Sequence, residues 1–332
     1  MKWIPLNFRH LRLISLYWSR YAVRGGSGLV YLLVALTFGL FVAHILITPV
    51  EQLMAKQKRQ MGQTDPLAIN QLIIQVGRPV IQFVTGQKTT KQILQESAAA
   101  PPGPMMYSDG ASMTDREQGD DPDFDPWTEF LIEKRPALLS AIFLVLIFGM
   151  PFAISFLAFN QISGDAQSYG LRYLLLRTDR SNIYFGRFLG TVIFSTAVVA
   201  IIVATITFYL GVRTRIYPAG ALAGWAVCGF LALSILMVPY IAVCSLISAT
   251  VDSPFLSLVL AKVVIAGVLF LAVLGRFAWE PAKYIKYALP WGWQCHLLHP
   301  APVHWGGAVL ACLAYTAVFL MLGYYRFVKR DL

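Results

Sequence analysis

The chain has 332 residues, of which 57% are hydrophobic and only 13% charged, and its mean hydropathy is +0.61. Soluble domains carry about 25% charged residues, so the composition excludes an ordinary soluble globule, a disordered chain and a disulfide scaffold, and predicts an all-α polytopic membrane protein. The net charge of +10 excludes nothing by itself, but no basic stripe is interleaved with aromatics, which argues against nucleic acid as a partner; in a membrane protein, basic residues mark the cytoplasmic face.

In chain order, residues 1–27 read as a cytoplasmic segment. Ile4–Val23 sets Leu6, Leu11, Leu13, Ile14, Leu16, Tyr17 and Trp18 beside its arginines. This predicts an amphipathic helix lying at the interface, against membrane lipid, with arginines reaching the headgroups. Gly25–Gly28 then lets the chain turn into the first span, 28–48. That apolar run starts after 27 residues, is too long for a signal-peptide core and lacks an A-x-A cleavage site, so it reads as a retained span.

Residues 49–135 read as a large extracytoplasmic insertion. Val50–Met61 and Leu67–Val84 are helical in pattern, and Ala98–Pro126 is an acidic Pro/Gly-rich linker. Asp120, Asp121, Asp123 and Asp125 could suggest a calcium site, but an EF-hand loop needs D-x-[DN]-x-[DN]-G followed by a Glu, and this run has Pro122 and Pro126 instead.

Residues 136–325 hold spans two to six: Pro136–Asn160, Phe188–Val212, one within Ile216–Val251, Ser253–Gly275 and Val303–Tyr325. The charge-free fourth stretch is 36 residues, about 54 Å as one helix against about 30 Å of hydrocarbon. It is therefore expected to tilt, break or lie partly at the interface, with Pro239 the expected kink. Lys262 is the one charge in the fifth span, an expensive placement that predicts either snorkelling or a face towards a cavity or a second copy. The N-terminal segment, the loop 161–187 and the tail 326–332 carry twelve basic residues, against five on the short opposite loops. Both termini are thereby expected on the cytoplasmic side.

Between spans five and six, Trp279, Trp291, Trp293 and Trp305 suggest an outer aromatic belt, and Tyr284–Leu298 a short re-entrant hairpin. Glu280, His296, His299 and His304 could meet as a zinc site, which keeps open an intramembrane metal-dependent enzyme. A non-transporting anchor subunit is a third reading. Cys228, Cys244, Cys295 and Cys312 make no CxxC pair and read as packing residues.

The loop Ile162–Gly190 carries an apolar ridge, Leu171, Leu174, Leu175 and Leu176, flanked by Arg172, Arg177, Arg180 and Arg187. It resembles the first cytoplasmic loop of ABC-2 type transporter permeases. Asp165 holds the acidic place, Leu171–Leu175 the Leu-rich turn, and Gly186-Arg187-Phe188-Leu189-Gly190 the entry to the next span. Tyr169-Gly170 replaces the usual Gly-Thr, and Thr178 the usual Pro. Ser245–Pro254 resembles the polar turn between spans four and five of these permeases, and Tyr325–Leu332 their basic tail ending in Asp-Leu. The long loop after span one is similar to that of the multicopper-maturation branch.

The resemblance implies the permease half of an ATP-driven exporter in a bacterial inner membrane, paired with a second permease copy, identical or related, and with two ATPase subunits. Asp165, Gly170, Leu171, Arg172, Leu174, Leu175, Arg177, Arg180 and Arg187 would form the ATPase-coupling loop. The chain itself lacks G-x-x-x-x-G-K-[ST], so no nucleotide chemistry, cofactor or metal is expected within it.

Overall fold

The computed structural model describes residues 7–61, 130–131, 134–168, 170–214, 216–277 and 280–330. The expected helix at 67–84, the linker at 98–126, the acidic run at 120–125 and Trp279 lie outside the described residues, as do the side chains of Arg172, Glu280 and Cys295. Among the described residues the chain is all-helical, with no strand.

Among the described residues nine α-helices follow in order: α1 Phe8–Arg24, α2 Ser27–Met61, α3 Ala137–Ala158, α4 Ser163–Gln167, α5 Gly170–Leu175, α6 Arg180–Thr214, α7 Ala219–Thr250, α8 Pro254–Phe277 and α9 Pro302–Lys329. Six of them, α2, α3, α6, α7, α8 and α9, are long and apolar enough to cross a membrane. Spans two, five and six begin and end close to the limits their charge-free runs predict. Two differ in length. α2 continues through Pro49 into the first helical piece of the insertion, and α6 begins at Arg180, eight residues before the expected entry. α7 neither breaks nor stops at Pro239. At 32 residues it is about 48 Å long, so its ends extend past a hydrocarbon core of about 30 Å.

The chain divides into two compact units, Met1–His44 with Val145–Leu332, and Ile45–Leu144. In the second unit the Arg135 guanidinium lies 5.1 Å from the Phe130 ring centre. The first unit holds the features that follow.

α1 forms where expected. Asn7 accepts the Arg9 amide at 3.1 Å and so caps its start. Gly25 closes its end with a bond to the Tyr21 carbonyl at 2.7 Å, and Gly26, at φ +79°, supplies the left-handed residue that turns the chain into α2. Its inner stripe, Ser15, Trp18 and Ala22, is buried on α6. The two helices meet at Gly186 and Gly190, four residues apart on α6. A Cβ at Gly190 would stand 2.6 Å from the Ser15 carbonyl, and one at Gly186 2.8 Å from Ile14 Cγ2. These small residues let the backbones approach closely. The Gly-x-x-x-Gly stretch is therefore the seat of α1, inside α6, rather than the entry to a span.

The segment between α8 and α9 folds as three short 3₁₀ pieces, Glu280–Ala288, Pro290–Gly292 and Gln294–Leu298, since Pro290, Pro300 and Pro302 prevent a continuous α-helix. Trp291 is not a belt residue: it is buried, with ring centres 5.9 Å from Phe148, 6.0 Å from Phe152 and 5.5 Å from Tyr240. Trp305 is exposed, as a belt residue would be.

Candidate functional site

The loop between α3 and α6 is built of α4, α5 and the turn 176–179. One apolar cluster holds it: Ile162, Leu171, Ile183, Tyr184, Ala249 and Phe327, with Leu175 and Tyr324 packed at its edge. The three sequence segments that carry the permease resemblance thus meet in one place. The loop contributes Ile162 and Leu171, the end of α7 contributes Ala249, and the tail of α9 contributes Phe327. Tyr184 stacks on Phe327 at 5.9 Å and sits under Gly323, where a side chain would collide with its hydroxyl.

Polar contacts fasten the same three segments. The Ser248 hydroxyl accepts the amides of Ile162 at 2.9 Å and Ser163 at 3.0 Å, which anchors the start of the loop to the last turn of α7. The Arg180 guanidinium donates to the carbonyls of Phe327 (3.4 Å), Val328 (2.7 Å) and Arg330 (3.1 Å). A cation at the C-terminal end of α9 satisfies carbonyls that the helix leaves unpaired and complements its dipole. Arg330 in turn pairs with Asp252 and donates to the Ala249 carbonyl at 3.2 Å. Burial pulls its guanidinium below the ordinary arginine value.

Arg187 is the node of the inner side. It is 4% exposed. It pairs with Asp165, donates to the Gln161 carbonyl at 2.5 Å and lies 4.8 Å from the Trp18 ring centre. Trp18 donates its indole N–H to Thr191 Oγ1 at 2.9 Å. Thr178 and Asn182, next in line, reach α1 through His10 at 3.4 Å and the Asn7 amide at 3.0 Å. α1 is thereby attached to the loop as well as to the span.

The expected coupling residues divide by direction. Asp165 and Arg187 satisfy each other, Arg180 holds the tail, and Leu171, at 1% exposure, fills the chain's own cluster instead of facing a partner. Leu175 packs at the cluster edge, and Gly170 starts α5. Leu174 and Arg177 are exposed. Beside them Tyr173 at 77% and Leu176 at 84% are the most open apolar side chains among the described residues of the loop. The leucine run signalled Leu176; nothing in the sequence set Tyr173 apart.

Lys262 turns to α3, where its ammonium donates to the Phe152 carbonyl at 2.6 Å and lies 3.7 Å from the Phe156 ring centre. A carbonyl and a ring face lower the cost of a charge held in a span. The rings of His299 and His304 stand 4.5 Å apart, with His296 about 6 Å from each. Among the described residues, however, no three His, Cys, Asp or Glu side chains are arranged to hold a metal ion. Cys228, Cys244 and Cys312 are free thiols.

No protein-family model matches the chain, and no curated protein matches it. With six helices among the described residues long and apolar enough to span a bilayer, the chain falls in the class of integral membrane proteins.

Proposed function

We propose that the chain is the permease subunit of an ATP-driven ABC exporter of the ABC-2 type, in a bacterial inner membrane with both termini cytoplasmic. The permease pairs with a second copy to line the path. The loop 161–187 docks on a separate ATPase subunit, which supplies the nucleotide chemistry. What supports this reading is the convergence of the loop, the α7–α8 turn and the basic tail on one apolar cluster at the mouth of α6. A coupling element must be rigid and continuous with a span to convert nucleotide-driven closure into helix movement. α4 and α5 are short, held at both ends, and joined through Arg187 and Ile183 to a 35-residue helix. They leave Tyr173, Leu174 and Leu176 outward beside Arg177. Those side chains suit an apolar groove with an acidic rim: each buried leucine contributes about 1.5–3 kcal/mol, and a rim charge under about 1 kcal/mol.

The test is co-purification of an ATP-binding subunit in mild detergent, with nucleotide hydrolysis by the reconstituted complex. Leu174→Asp is expected to abolish both while the spans remain inserted. Retention of the subunit and of hydrolysis by Leu174→Asp would leave the loop a topology signal only.

A further inference from the structure

The inner stripe of α1 is spent on α6, but its outer stripe is exposed, with no contact to it among the described residues. Residues 9, 13, 16, 20 and 24 recur at helical spacing and so share one face. They are Arg9, Leu13, Leu16, Arg20 and Arg24, all exposed, with Arg12 and Tyr17 exposed on the flanks. No acidic residue precedes Glu51 in the chain, so α1 carries no carboxylate of its own beside these guanidinium groups. α1 also ends within two residues of α2, whose first residue is Ser27. A helix joined to a span by a two-residue turn lies at the level of the headgroups, where leucines and a tyrosine reach the acyl boundary and arginines meet phosphates.

We propose that the outer face of α1, centred on Arg9, Leu13, Leu16 and Arg20, is a binding surface for anionic phospholipid. The positive charge of these guanidinium groups attracts the anionic headgroups of the adjacent leaflet. Lipid on the outer face and α6 on the inner face hold α1 from both sides. Through Trp18 the bound lipid therefore steadies Arg187 and the loop beneath it. The proposal rests on the six helices crossing a bilayer and is independent of what, if anything, the chain transports.

The experiment uses the full chain with Tyr17→p-benzoylphenylalanine, reconstituted in nanodiscs of equal phosphatidylglycerol and phosphatidylcholine. Lipid adducts are counted by mass spectrometry after illumination. The expected result is an excess of phosphatidylglycerol adducts over the bulk ratio. A basic residue near an anionic surface shifts binding by about fivefold, so the excess should collapse in Arg9→Gln/Arg12→Gln/Arg20→Gln. It should survive in the matching Lys variant and shrink as salt shortens the screening length. Adducts at the bulk ratio in the unmodified arginine background would overturn the proposal. So would cross-links to protein in place of lipid, which would assign the face to an acidic partner or a second copy, and so would a Lys variant as poor as the Gln variant.

Discussion

Replacing Arg187 by Met tests whether the node under α1 holds the loop together. The methionine keeps most of the side-chain volume but removes every polar contact. Asp165 loses its cation, the Gln161 carbonyl loses its donor, and the Trp18 ring loses the guanidinium 4.8 Å away. Removing one partner of a buried pair costs about 3–5 kcal/mol. The Asp165 side chain is 32% exposed and regains part of its hydration, which places that loss at the lower end. A lost cation–π contact adds about 1 kcal/mol. The expected total is about 3–4 kcal/mol. Arg187→Met/Asp165→Asn removes the stranded carboxylate and should recover about 1–2 kcal/mol, a coupling of the size that contacting residues show. The assay is SDS titration of the purified protein in mixed micelles, with tryptic cleavage at Arg177 and Arg180 reporting the loop. A loss under about 1 kcal/mol for Arg187→Met, or a double variant no more stable than the single, would refute the reasoning.

Leu171→Ala should destabilise the same unit by about 2–5 kcal/mol, whereas Leu176→Ala should change stability by less than about 0.5 kcal/mol; the same titration separates them. Ser248→Ala strands two loop amides and should cost about 1–3 kcal/mol, read as faster amide exchange at Ile162 and Ser163. Gly190→Val places a side chain against the Ser15 carbonyl and should lift α1 off α6, which acrylamide quenching detects in a variant whose sole tryptophan is Trp18. Arg180→Gln should release the end of α9 and speed tryptic cleavage after Lys329, while the spans stay inserted. For the topology, cysteines placed at Ser108 and at Lys329 should react with impermeant reagent from opposite sides of the membrane; labelling from one side would sink the arrangement.

The spans were legible because a charge-free run of some 20 residues has few alternatives to a membrane helix, and α1 was legible because its apolar residues repeat at helical spacing. The pairing of Arg187 with Asp165 was not, since 22 positions separate them and no local period encodes their meeting. Gly186 and Gly190 read as a span entry when taken in line; only the proximity of α1 shows what their missing side chains admit. On a helix as short as α5, six residues, periodicity barely separates one face from another. That is why Leu171 and Leu174 read alike in sequence and part company in the fold.

The hold of Arg180 on the end of α9 bears on how the molecule is made. Residue 180 leaves the ribosome long before residues 327–330, so for that interval its guanidinium lacks the three carbonyls it later binds. Over the same interval the cluster around Leu171, Ile183 and Tyr184 lacks Phe327. A nascent chain stalled after α8 carries an open apolar surface beside an unspent positive charge. Such a surface is what chaperones and quality-control proteases recognise. Arrival of α9 covers the surface and engages the charge together, so the loop reaches its packed state only once residues 327–330 have been made.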